Sequence, residues 1–201
     1  MIQTRQDFRQ YGDQPSSVVV LQGGPGGAGE VEPLARELGT RGHPVLEPFQ
    51  KGRSVGSQVD ELKSKIDLLC SPPVIVVGWS WGAWLGCFFA ARYTASIRKL
   101  ILVGCGPLEA RFAATIRTTK NSRLTDEQKS ELEELRTQEG HVADIARLIE
   151  LSDVADTYSR DASPPPIVDF DTTIHAAVWP EAEEMRESGA LIDAVSAIRC
   201  P

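Results

Sequence analysis

The chain has 201 residues, a formal net charge of −7 and 41% apolar residues, enough apolar material to fill the core of one domain. The acidic balance, with no basic tract, argues against nucleic acid or an anionic membrane surface as a partner. Met1–Asp7 has no leader-like apolar stretch, no apolar run reaches the length of a membrane span, and Cys70, Cys87, Cys105 and Cys200 form no C-x-x-C pair. The expectation is therefore a cytoplasmic protein with reduced, mostly buried thiols, no metal and no cofactor.

In chain order, Arg9 to Pro15 carries turn signals, and Ser17–Gln22 reads as the first strand. Gly23-Gly24-Pro25-Gly26-Gly27 follows directly. A loop so rich in glycine lets backbone N–H groups approach a bound anion, and it feeds a helix in which Val31, Leu34, Ala35 and Leu38 fall at i, i+3, i+4 and i+7. Taken alone, the loop reads first as a plain strand-to-helix connection; its position one βα unit ahead of the serine turn described below favours the anion-binding reading. Pro44–Phe49 reads as the next strand, and Val59, Leu62, Ile66 and Leu69 form one stripe on the helix after it.

Four β-branched residues, Val74 to Val77, then read as a buried parallel strand. Gly78-Trp79-Ser80-Trp81-Gly82 comes at once, and an apolar run through Arg92 reads as a helix. A serine on so sharp a strand-to-helix turn is held at the sheet end with its hydroxyl projecting, and the flanking glycines remove side chains that would collide there. Ile97–Val103 is one more strand, closed by Gly104–Pro107. This alternation predicts an α/β fold, a parallel sheet with right-handed crossovers and helices on both faces. Sites in such sheets lie at the carboxyl ends of the strands, where the glycine loop and Ser80 both fall.

From Leu108 to Gly189 no strand pattern is evident. Thr125 to Gln128 is a capping-box signature opening a charged helix that stops near Gly140. Val142, Ile145, Ala146 and Ile149 mark a second amphipathic helix, Ser163-Pro164-Pro165-Pro166 breaks the chain, and a further helical stretch runs from Thr173 to Glu187. The expected organisation is a core over residues 1–107, an inserted helical cap over 108–189, and a return helix over 190–201 with Leu191, Ile192, Val195 and Ile198 on one face.

The Gly-Gly-Pro-Gly after the first strand, the Ser80-Trp81-Gly82 turn, the helix ending Ala90-Ala91-Arg92-Tyr93 and the strand Leu100-Ile101-Leu102-Val103-Gly104 together resemble the α/β-hydrolase superfamily, and within it the proline iminopeptidase-type members. The resemblance covers residues 8 to 107 closely and the cap only in kind. The family usually has His where this chain has Gln22, and its Asp-x-Arg-Gly-x-Gly-x-Ser is blurred here to Gln50–Ser57. The resemblance implies a partial α/β-hydrolase fold in which Ser80 is the nucleophile of an acyl-enzyme mechanism. The backbone amides of Gly24 and Trp81 would form the oxyanion hole. Gly23, Trp79 and Glu181 are candidate substrate contacts, the last for a substrate amine, although Glu181, Glu183 and Glu184 read more readily as a solvated helix face.

The mechanism also needs a histidine oriented by a carboxylate. His43 stands at the amino end of a strand, the wrong edge of the sheet, while His141 and His175 read as solvated or locally bonded cap residues. Asp169 or Asp171 with His175 has the right order but no strand to hold it. In the superfamily the Asp and His follow the serine on strands beyond the cap. Ile198–Pro201 looks like the lead-in to such a strand, so the chain is expected to lack both partners, to turn over little by itself, and to expose Ile97–Val103 as an edge prone to self-association. The leading reading is a serine hydrolase of a small ester, amide or short peptide. The alternatives are a non-catalytic binding protein that keeps the pocket and an incomplete subunit completed by another chain. Dehalogenase and epoxide-hydrolase chemistry is disfavoured, since those relatives place Asp where Ser80 stands.

Overall fold

The structure is a computed structural model that describes residues 7–137, 142–158 and 168–201. His141, the helix end near Gly140 and the Ser163–Pro166 break lie outside the described residues, as do the side chains of Val142, Ile145 and Ala146. In chain order the strands are β1 (Phe8–Tyr11), β2 (Ser16–Leu21), β3 (Gly27–Ala28), β4 (Val45–Pro48), β5 (Cys70–Trp79), β6 (Ile97–Val103) and β7 (Asp169–Phe170). The helices are α1 (Glu32–Thr40), α2 (Val55–Leu69), α3 (Trp81–Arg92), α4 (Ala113–Ser122), α5 (Asp126–Thr137), α6 (Val142–Asp156), α7 (Thr172–Glu187) and α8 (Ala190–Ser196).

The five-stranded sheet runs β1-β4-β2-β5-β6, with β4, β2, β5 and β6 parallel and β1 antiparallel on β4. The valine-rich runs are explained by burial on both faces. Val19, Leu21, Leu46, Val74 and Val76 pack with α2, α3, α7 and α8, while Val18, Val20, Val45 and Val77 pack with Val31 and Ala35 at the start of and within α1. The α3 segment is apolar all round, and every residue from Trp81 to Ala90 is buried, as a central helix requires. Register then sets the level of the strand ends. Leu21 lies opposite Gly78, and Trp79 opposite Val103, so the turns after β2 and β5 emerge side by side.

Three features differ from the sequence reading. Arg9 to Tyr11, read as turn, belongs to β1, a half-buried edge strand whose four residues Phe-Arg-Gln-Tyr carry too little alternation to be recognised. Asp169–Phe170, expected to hold no strand, pairs with Gly27–Ala28 of the glycine loop. Contacts divide the chain into one unit of residues 1–109 and 165–201 and a second of residues 110–164. The α7 helix therefore groups with the sheet, whereas the sequence division placed it in a cap over 108–189. The cause is its buried face of Ile174, Val178 and Ala182, which joins the main core.

The second unit has its own core of Leu124, Leu132, Leu151 and Ala155. Its α5 opens on the reciprocal cap expected there: Thr125 N–H donates to Gln128 Oε1 at 2.9 Å and Gln128 N–H to Thr125 Oγ1 at 3.2 Å. Ile149 is 41% exposed, so the buried stripe of α6 runs through Leu151 and Ala155 instead. At the sheet edge, Ile101, Leu102 and Val103 of β6 are about 40% exposed, and Leu100 N–H donates to Pro201 O at 3.0 Å. Among the described residues no helix is long and apolar enough to cross a membrane, and all four cysteines are free, with Cys70 and Cys87 buried.

Leu191 of α8 is fully buried in the main core. Leu191→Ala is expected to remove about 2–5 kcal/mol of stability, read as a lower urea midpoint at unchanged slope. A midpoint equal to that of the parent would show that α8 does not pack there.

Candidate active site

Ser80 is the point at which β5 becomes α3. Its φ of +51° and ψ of −114° make it the one non-glycine residue with positive φ among the described residues, a conformation that costs of order 1–3 kcal/mol. Two constraints hold it. Ser80 N–H donates to Val103 O of the neighbouring β6 at 3.0 Å, and Ala83 N–H to Ser80 O at 3.0 Å. Two residues on, the helix passes so close to β2 that a Cβ on Gly82 would stand 2.5 Å from Leu21 O and 2.6 Å from Gln22 O, so only glycine fits. The Ser80 side chain, at the opening of the helix, forms no cap hydrogen bond. The Trp81 N–H belongs to the first helical turn, whose amides have no partner within the helix.

The glycine loop lies beside this turn. Gly24 has φ +31° and is half-buried. Gly27 N–H donates to Gly24 O at 2.9 Å. The far side of the loop is held by β7 and by the residue after it, through Asp171 N–H to Gly26 O at 3.0 Å, and the Phe170 ring stands 3.3 Å from where a Gly24 Cβ would be.

Ser80, Gly23, Gly24, Trp79 and Trp81 are thus brought to one end of the sheet, but their side chains and amides have different occupations. The Gly23 N–H donates to Glu30 Oε2 at 2.7 Å, and Trp79 Nε1–H to Glu30 Oε1 at 3.1 Å. The Trp81 indole is buried, its Nε1–H shared between Gln50 Oε1 and Gln58 Oε1 at 3.1 Å each. Trp84 donates to Gly106 O at 3.2 Å and stacks on Trp179 at 5.8 Å. Glu181 has a partner of its own: one of its oxygens accepts from Val55 N–H at 2.9 Å, at the start of α2, where the helix dipole favours an anion.

Glu30 escaped the sequence reading. A lone carboxylate seven residues after the first loop glycine matches no motif, and only the folded loop turns it back on Gly23. Burial pushes its carboxyl above the usual range, opposed by the Trp79 and Gly23 donors. Gln22 is fully buried, and neither amide atom has a protein partner among the described residues, so the loop is anchored by Glu30 and not by the residue at position 22.

His175, read as a solvated or locally bonded helix residue, is half-buried against aromatic rings. Its ring stacks on Trp179 at 5.8 Å and tilts against Phe170 at 5.4 Å. Burial pushes its pKa below the ordinary value, with Glu183 acting the other way. Its Nδ1 has no protein partner among the described residues. Asp171 Oδ1 accepts from Thr173 N–H at 3.0 Å and Ile174 N–H at 3.2 Å, which makes it the N-cap of α7. Among the described residues no group of His, Cys, Asp and Glu is placed to hold a metal. A surface concavity of about 610 Å³ lined by Thr119, Ser122, Arg123, Val154, Thr157 and Tyr158 belongs to the second unit and includes none of these residues.

Because Ser80 bears the unfavourable φ and makes no cap bond, Ser80→Gly is expected to raise stability by roughly 1 kcal/mol, measured by urea unfolding. A loss of stability would show that the turn is not strained at this residue.

No protein-family model and no curated protein sequence matches the chain. Solved structures do. The chain is similar to VinJ, with a TM-score of 0.65 at 21% identity over 96% of this chain and 75% of that one. It is similar to an esterase from Exiguobacterium antarcticum (TM-score 0.59, 13% identity, 96% and 73% covered) and to the thioesterase domain from the curacin biosynthetic pathway (TM-score 0.54, 20% identity, 96% and 75% covered). The chain has the α/β-hydrolase fold.

Proposed function

We propose that the protein is a serine hydrolase that acts on a small ester, amide or short peptide through an acyl-enzyme. The observation that carries this reading is the backbone of Ser80, held at φ +51° between β5 and α3 with the glycine loop emerging beside it. In this reading Ser80 Oγ attacks the substrate carbonyl, on a turn that acts as a nucleophile elbow. The N–H groups of Gly24 and Trp81 receive the negative charge that develops on the carbonyl oxygen, the second from the positive end of the α3 dipole. Collapse of the tetrahedral intermediate expels the alcohol or amine and leaves an acyl group on Ser80, which water then removes. The reaction requires a histidine oriented by a carboxylate to take the Ser80 proton and return it to the leaving group, and no residue of the chain is assigned to that pair. The esterase and thioesterase among the similar structures support acyl transfer as the reaction class, and the resemblance of Gly23–Gly26 and Ser80–Gly82 to proline iminopeptidase-type members supports a small ester, amide or short peptide as the substrate.

The test is turnover of short p-nitrophenyl esters and amino-acid p-nitroanilides by the gene product isolated from its own cells, beside its Ser80→Ala variant. Hydrolysis that falls at least ~10³-fold in Ser80→Ala is expected. Turnover that survives the substitution would overturn the assignment of the nucleophile.

A further inference from the structure

Glu30 and Trp79 meet where the two halves of the proposed site have to be kept in register. Both carboxylate oxygens of Glu30 are occupied from different elements, Oε2 by Gly23 N–H at 2.7 Å and Oε1 by Trp79 Nε1–H at 3.1 Å. Trp79 is the residue immediately before Ser80, and its indole lies across the strand ends. The ring's Cδ1 stands 2.8 Å from where a Cβ on Gly23 would be, and its Cζ3 stands 2.7 Å from where one on Gly104 would be. It therefore reaches from the loop after β2 to the loop after β6, over the end of the strand that carries the serine.

We propose that Glu30 and Trp79 are positioning residues, which tie the glycine loop to the serine turn so that the Gly24 amide keeps one place relative to Ser80; this rests on the serine-hydrolase reading. The sequence reading gave Trp79 and Gly23 to the substrate. Here the Gly23 amide is committed to Glu30, which leaves Gly24 as the loop amide for a developing oxyanion, and Trp79 is a strut.

The chemistry accounts for a carboxylate at this position. Two N–H donors converge on one side chain, and only an ionised carboxylate presents acceptors at both ends. Glutamine has one acceptor and one N–H₂, so in its place either Gly23 or Trp79 would face another donor; an unpaired N–H on the buried Gly23 is costly, whereas the Trp79 indole, 39% exposed, still has water as a partner. A carboxylate with two charge-assisted bonds is also better fixed than a neutral group. Loosening this link lets the loop shift, and a displacement of about 1 Å at a reacting centre can cost ~10²-fold in rate.

The experiment is a double-mutant cycle of Glu30→Gln and Trp79→Phe, read by kcat and KM for a short ester, with the Gly23 and Trp79 N–H resonances followed by NMR in the same proteins. Each single variant is expected to lower kcat by ~10- to 100-fold at a KM within about threefold of the parent, and Glu30→Gln to move both resonances upfield. In the Trp79→Phe background the second donor is gone, and a glutamine carbonyl can serve Gly23 alone. Glu30→Gln should then cost less than threefold further, a non-additivity that general destabilisation would not produce. Additive losses, or a change in KM alone, would overturn the positioning role. Resonances that do not respond to Glu30→Gln would show that the link does not exist. If Ser80→Ala keeps its turnover while the resonances respond as described, the hydrolase reading fails and the link stands, so the two failures are distinguishable.

Discussion

The site depends on one backbone constraint, the forced conformation of Ser80. A serine does not adopt φ +51° by preference. It is driven there because β5 must end level with β2 and β6 while α3 must turn back at once over the same strands. The bond from Ser80 N–H to Val103 O fixes the turn to β6, and the approach of Gly82 to the Leu21 and Gln22 carbonyls fixes the helix to β2. Neither could form if the sheet slipped by one residue, since that would exchange the buried valine faces. The burial of Val18 to Leu21 and Val74 to Val77 on two different helix layers thus stabilises the strained turn from a distance.

Around that turn the polar groups follow an order. Trp81 and Gln58 are bonded beneath it in the core, Trp79 and Glu30 bridge beside it, and β7 with the start of α7 closes the outer side of the glycine loop. The aromatic row Phe170, His175, Trp179 and Trp84 continues from that side, with the Arg186 guanidinium 5.7 Å from the Trp84 ring. Its members come from segments nearly ninety residues apart in the chain, which is why the row has no signature in the sequence.

Local pattern and close approach were legible in different measure. Strong β-branched runs named β2, β5 and β6, the last over the same seven residues, and the Gly-x-Ser-x-Gly spacing named the turn because only glycines fit where backbone meets backbone. The capping box at Thr125 was likewise readable, since both partners lie three residues apart. What escaped depends on tertiary packing. β1 is too short and polar to declare itself, and β7 exists only because the glycine loop offers it a partner. The α7 helix looked like a cap helix because periodicity shows that a face is buried without showing against what. Glu30 and Glu181 each found an amide donor, seven and 126 positions away, and spacing alone could not reveal either.

The central claim is that the fold holds Ser80 as a reactive hydroxyl, and covalent trapping tests it most directly. The protein from its own cells would be treated with a fluorophosphonate, digested, and mapped by mass spectrometry, native and after unfolding. A single adduct on Ser80 in the native protein, lost on unfolding, is the predicted result. An adduct on another residue, or no adduct at Ser80 in protein shown to be folded, would contradict the account.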